Sequence, residues 1–106
     1  MIPKRLREAR HRAKLTQEKL AVMAGIDEST ARSRISQYEN GIYRPNFETC
    51  CAFARILDVP ECYFYTVDDE FAAALMVLYT SHSASNRSHE ASNEGEEDAS
   101  DMQKRG

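Results

Sequence analysis

One stretch, Leu15 to Gly41, LTQEKLAVMAGIDESTARSRISQYENG, leaves this chain few ways to fold. Thr16 can cap a helix, because its hydroxyl accepts from the free amides of a first turn. Leu20, Ala21 and Ala24 follow at helical spacing, and Gly25 stops the run where a left-handed residue costs little. After Ile26, Asp27 is a second cap and predicts a longer helix that closes at Asn40-Gly41. Small Ala21 lets the two helices approach closely.

The second helix has two unlike faces. Ala31, Ile35 and Tyr38 stand at i, i+4 and i+7 and should pack inward. Ser29, Thr30, Ser33, Ser36 and Gln37 fall on the other side, flanked by Arg32 and Arg34. That outer face carries hydroxyls, one amide and two guanidinium groups, and no carboxylate. Such groups suit a DNA major groove, although they equally describe a solvated helix face. Context decides between the two.

The whole-chain charge of −3 argues against a nucleic-acid partner, but its distribution reverses that. Residues 1–44 hold ten Lys/Arg against five Asp/Glu, a net of +5, while residues 67–106 hold three against nine, a net of −6. The chain is a basic head with an acidic tail. Its 106 residues suffice for one small domain. Cys50, Cys51 and Cys62 make no metal pattern, and their odd count with no signal peptide predicts a reducing cytosol, with the thiols acting as small buried hydrophobes. No apolar run reaches the roughly 18 residues of a membrane span. A soluble, cytoplasmic protein is expected.

The remaining chain reads as helices, with no strand signal of useful length. Pro3 suits a first turn, and Ile2, Leu6, Ala9 and Ala13 form a narrow apolar stripe surrounded by Lys4, Arg5, Arg7, Arg10, Arg12 and Lys14. That basic helix is expected to attract phosphate. Ile42 to Pro45 is a loop, and Asn46 caps a further helix with Cys50, Phe53, Ala54 and Leu57 inside. Pro60 opens a short fifth helix in which Phe64 reaches the core while Tyr63 and Tyr65 are half exposed. Asp68 or Asp69 caps a sixth, DDEFAAALMVLYT, whose Phe71, Leu75 and Leu78 share one face. So apolar a helix must be covered, by its own domain or across a dimer, and the dimer is the preferred reading. Residues 81–106 hold one apolar residue larger than alanine, Met102, and are expected to be a disordered acidic tail.

The order LTQEKLAVMAGI, SRISQYENG and RPNFETCCAFARILDVP resembles the helix-turn-helix domain of Cro and lambda repressor, the XRE family. The resemblance covers about residues 2–66. It rests on an ordered set: Thr16-Gln17, Leu20-Ala21, Gly25, Ser36-Gln37, Glu39-Asn40-Gly41, Pro45, Ala54, Leu57 and Val59. It implies an all-α, five-helix lambda-repressor-like DNA-binding domain over 1–66, followed by the apolar helix 67–80 and the tail 81–106. One departure stands out. Gly25 lies fourteen residues before Glu39. That is about four more than the family's usual spacing and close to one helical turn. The extra residues either extend the second helix backwards or lengthen the turn.

By matching position, the resemblance implies that Thr16 and Gln17 lie at the DNA backbone, with Gln17 meeting a phosphate. It implies that Ser29, Thr30, Arg32, Ser33, Ser36 and Gln37 face the groove, and that Asn40 and Gly41 offer backbone amides to a phosphate near Arg44. Arg34 is expected to pair with Glu39 or Asp27, and Glu39 to stay within the protein. The function expected is a sequence-specific transcriptional regulator of bacterial or phage type, nucleoid-associated, acting as a repressor. It would bind an inverted-repeat operator in double-stranded DNA as a homodimer. The alternative is the antitoxin of a toxin–antitoxin pair, or another protein-interaction module. No catalytic set, cofactor or metal site is expected, and no small-molecule effector, since no length remains for a sensor domain.

Overall fold

Helices α1 (Pro3–Arg12), α2 (Gln17–Met23), α3 (Ala31–Glu39) and α4 (Phe47–Leu57) all stop in the same way. Each is followed by a residue in the left-handed region: Lys14 at φ 61°, Gly25 at 88°, Gly41 at 74° and Asp58 at 58°. The residue after each one donates back five positions: Leu15 to Arg10, Ile26 to Ala21, Ile42 to Gln37 and Val59 to Ala54. This pattern satisfies carbonyls that a helix end would otherwise leave bare. At Gly41 the need for glycine is double, because an added Cβ would also stand 3.3 Å from the Pro3 ring. A computed structural model describes the backbone of residues 1–92 and the side chains through residue 84.

The other helix ends follow from local sequence. The Thr16 hydroxyl accepts from the Lys19 amide at 3.0 Å, and the Asn46 side chain from the Thr49 amide at 2.8 Å. A 3-10 helix, Glu61–Tyr65, follows α4, and α5 spans Asp69–Ser92. Asp68 rather than Asp69 caps α5, accepting from the amides of Glu70 and Phe71. The described residues contain no strand. Leu6, Leu20, Ile35, Cys50, Phe53, Leu57 and Phe64 are buried among one another. Burying each such side chain contributes about 1.5–3 kcal/mol for the larger ones, which is what holds helices too short to persist alone. Tyr38 meets Phe53 edge-on, with ring centroids 6.1 Å apart.

Several expectations are corrected here. The four extra residues lengthen the turn: α3 begins at Ala31, not at Asp27. Asp27 instead folds the turn, its carboxylate accepting from both the amide and the hydroxyl of Ser29. Arg5 and Arg10 are not part of a solvated basic stripe but are buried, at 2% and 8% exposure. Of the cysteines only Cys50 is buried, Cys62 being exposed. Tyr63 is buried too, its hydroxyl donating to Glu8 at 3.1 Å, and burial followed by that carboxylate pushes its pKa up.

Residues Met1–Met76 pack as one unit. Within it, α5 turns Ala72 and Met76 toward the core, whereas Phe71 is 59% exposed. From Val77 a second unit begins, in which Val77 and Leu78 are exposed. α5 runs past the expected end at Thr80 to Ser92. No glycine or proline interrupts residues 69–92, and extending a formed helix costs far less than starting one. The rest of the expected disordered tail lies outside the described residues.

Candidate nucleic-acid interface

α2, the turn and α3 bring the outer face of α3 to the surface on a rigid mount. Leu20 and Ala21 of α2 close on Ala31 and Ile35 of α3, all four at 0% exposure. The mount is completed by a buried carboxylate, Glu39, at the last turn of α3. Arg10 Nε donates to its Oε2 at 2.6 Å and Arg10 Nη2 to Oε1 at 3.1 Å, while Gln17 Nε2 donates to Oε1 at 3.1 Å. Arg7 Nε stands 3.5 Å away. Burial by itself raises the Glu39 pKa, but the hydrogen bonds from Arg10 and Gln17 and the charges of Arg10 and Arg7 outweigh it, so the carboxyl sits below its ordinary range. Glu39 thus stays ionised and ties α1, α2 and α3 at one point.

On the outer face, Arg32 and Ser33 are exposed and Ser36 and Gln37 partly so. The side chains of Arg32, Gln37 and Arg44 make no hydrogen bond or ion pair among the described residues. Ser33 donates to the Thr30 carbonyl at 3.3 Å, and the Thr30 hydroxyl to the Asp27 carbonyl at 3.3 Å. Both hydroxyls keep their lone pairs. An amide and guanidinium groups that are free, on a convex helix, can reach base edges.

Other residues assigned from sequence are placed differently. The Thr16 hydroxyl is occupied in its cap, and Gln17 spends one amide hydrogen on Glu39 and keeps the other. The Ser29 hydroxyl is held by Asp27, whose pKa is lowered chiefly by that bond and then by the Ser29 amide, so Ser29 belongs to the turn. The expectation that Asn40 and Gly41 offer backbone amides is corrected: these donate to Ser36 and Tyr38, at 3.0 and 3.2 Å, because the helix end needs them. The Asn40 side chain donates to the Ser36 carbonyl at 2.8 Å. The expected pairing of Arg34 with Glu39 or Asp27 is not formed. Glu39 is enclosed by α1 and α2, Asp27 is held by Ser29, and Arg34 has no polar partner among the described residues.

Sequence reasoning missed Arg10 and Gln17 as the groups that hold α3 by its end. A composition-level signal could not find them, since Arg10 and Glu39 lie 29 positions apart. Among the described residues no group of three or more His, Cys, Asp or Glu is placed to hold a metal ion, and no helix is long and apolar enough to cross a membrane.

The helix-turn-helix family model matches residues 6–64. Among solved structures, the crystal structure of transcriptional regulator BswR is similar, with a TM-score of 0.73 and 37% identity over 74% of this chain and 78% of that one. No curated protein sequence matches the chain.

Proposed function

The chain belongs to the helix-turn-helix family, and from that premise we propose that it is a transcriptional repressor, binding an inverted-repeat operator as a homodimer with α3 in the major groove. Family and similar structure together make it a non-enzymatic, DNA-binding regulator. The observation that carries the reading is the outer face of α3. Gln37 and Arg32 project from a helix locked at its end by Arg10 and Glu39, and neither spends its donors within the described protein. Gln37 can pair bidentately with adenine, and Arg32 with guanine.

Selection of bound sequences from a random duplex pool tests this. An inverted repeat should be recovered, and Gln37→Ala should lose about 1–3 kcal/mol on it while relaxing preference at one position per half-site. Unchanged affinity and preference would mean that Gln37 does not read a base.

The dimer reading rests on α5. Phe71 is 59% exposed, whereas Ala72 and Met76 pack against the core. A second copy of the chain would cover Phe71. Phe71→Asp is the informative change, because Leu75 is partly buried and Phe71 is not. Sedimentation should then show a folded monomer with weakened operator binding. A variant that stays dimeric would move the interface elsewhere, and a parent protein that is monomeric until a second protein co-purifies would favour the antitoxin reading.

A further inference from the structure

Serine is an indifferent reader of DNA, since a hydroxyl both donates and accepts and can meet either kind of base edge. On α3 that indifference is removed, in opposite senses at two positions one turn apart. Ser33 gives its hydrogen to the Thr30 carbonyl at 3.3 Å, which leaves only lone pairs to face outward. Ser36 does the reverse. Its oxygen accepts from Asn40 Nδ2 at 3.3 Å, while its own hydrogen meets no acceptor among the described residues. We propose that Asn40 is a positioning residue that makes Ser36 a donor toward the groove, opposite to Ser33 as an acceptor, so that the two serines select bases of opposite edge chemistry. The assignment rests on the reading that α3 enters the major groove, and adds to it the class of base that each hydroxyl takes.

The Asn40 amide is held so that its direction is fixed. Nδ2 also donates to the Ser36 carbonyl at 2.8 Å, and Oδ1 accepts from Arg7 Nη2 at 3.5 Å. Turning the amide over would set oxygen against the Ser36 carbonyl and a donor against a guanidinium, so both ends oppose it. The backbone is fixed as well, the Asn40 amide donating to the same carbonyl at 3.0 Å. Arg7 is in turn held near Glu39, its Nε 3.5 Å from the carboxylate. The direction of one hydroxyl on α3 is thus set from α1.

Base edges then assign the classes. In the major groove cytosine and adenine offer amino groups, N4 and N6, whereas guanine O6 and N7, thymine O4 and adenine N7 are acceptors. Ser33, with lone pairs outward, takes an amino group. Ser36, with its hydrogen outward, takes an acceptor. Cytosine presents only a donor there, and is the base that Ser36 rejects. A donor pressed against a donor loses its water and gains no partner, which costs more than a missing contact.

The test uses the full chain and the duplex recovered by selection. Ser36→Ala should relax preference at one base pair per half-site, which locates the contact. Cytosine on the contacted strand there should weaken the parent about tenfold, and Ser36→Ala should remove that penalty. Asn40→Ala should remove the same penalty, because the freed hydroxyl turns its lone pairs to the amino group, and should leave the preference set by Gln37 untouched. In a Ser36→Ala background, Asn40→Ala should change no base preference. Ser33→Ala locates the other contact in the same way. Purine in place of adenine there, or 2-pyrimidinone in place of cytosine, deletes the amino group and should weaken the parent about fivefold but Ser33→Ala not at all. An Asn40 that only ends the helix would instead lower the thermal midpoint and weaken all sequences evenly, with Ser36 present or replaced, and that outcome overturns the proposal. So does a Ser36→Ala variant that relaxes no position, or a parent indifferent to cytosine at the located base pair; both are read even if Asn40→Ala fails to fold. Each of these failures leaves the DNA-binding reading standing when an inverted repeat is still recovered, whereas a parent that binds no duplex overturns both.

Discussion

Glu39 and Asp69 each receive a guanidinium from α1, from Arg10 at 2.6 Å and from Arg5 at 3.0 Å, yet they stand in different surroundings. The Glu39 side chain is 0% accessible, and that of Asp69 is 65% accessible. At Glu39 water is excluded, so the carboxylate depends on Arg10 and Gln17 for every hydrogen bond it has lost to burial. At Asp69, which also accepts from Lys4 at 3.1 Å, water competes with both cations and screens them. The cations do not differ in this way, since Arg5 and Arg10 are both buried. Arg5 is itself buried, donating to the Thr66 carbonyl at 2.9 Å and the Val67 carbonyl at 3.3 Å and lying over the Tyr63 ring. Arg5 thus fastens the chain entering α5 mainly through backbone, and Asp69 adds little. The same pair of charges is structural in one place and peripheral in the other, and burial decides which.

That contrast can be broken by deletion. Glu39→Ala would strand the Arg10 charge in the core and should cost about 3–5 kcal/mol, enough to unfold much of a small domain, as thermal unfolding would record. Acid should report the same site. The folded pKa of Glu39 lies below its unfolded value, so its stabilising contribution is complete above the ordinary carboxylate range and is lost as pH falls through the folded pKa. Thermal midpoints should drop in that window, and Glu39→Gln should flatten the drop. A pH profile unchanged by Glu39→Gln would remove the carboxylate from the account.

The smallest effect is expected at the exposed node. The pKa of Asp69 is also lowered, by its hydrogen bond from Lys4 and then that from Arg5, so the direction of its pH dependence is the same. Asp69→Asn should nevertheless lower the thermal midpoint only slightly, and that change should vanish at high salt. A salt-insensitive loss as large as that of Glu39→Ala would show that accessibility does not rank these pairs.

Much of the architecture could be read from neighbours along the chain, because its causes are local. Thr16 and Asn46 cap where they stand, since a cap needs only an oxygen and an amide three residues on. Gly25 and Gly41 end helices because a left-handed residue costs glycine little. The inner faces, Ala31 with Ile35 and Tyr38, and Cys50 with Phe53, Ala54 and Leu57, follow from the helical repeat. Local rules did not reveal that Lys14 and Asp58 adopt the same left-handed conformation, which lets Leu15 and Val59 donate back to Arg10 and Ala54.

The fate of each charge was settled only in three dimensions. Arg5 and Arg10 look the same in sequence as Arg7 or Arg12, and become buried because acceptors 61 and 29 positions away arrive beside them. Arg34 lacks its expected partners for the same reason. The two carboxylates expected for it are engaged elsewhere, Glu39 by α1 and α2 and Asp27 by Ser29. The sequence by itself determined that the chain is built of helices, that Gly25 and Gly41 stop two of them and which face of α3 turns outward, since hydrogen bonds and side-chain period within a few residues govern these. Only the tertiary structure decided which cations lock the domain and which remain free for a partner, because ion pairing depends on distance through space and on the exclusion of water.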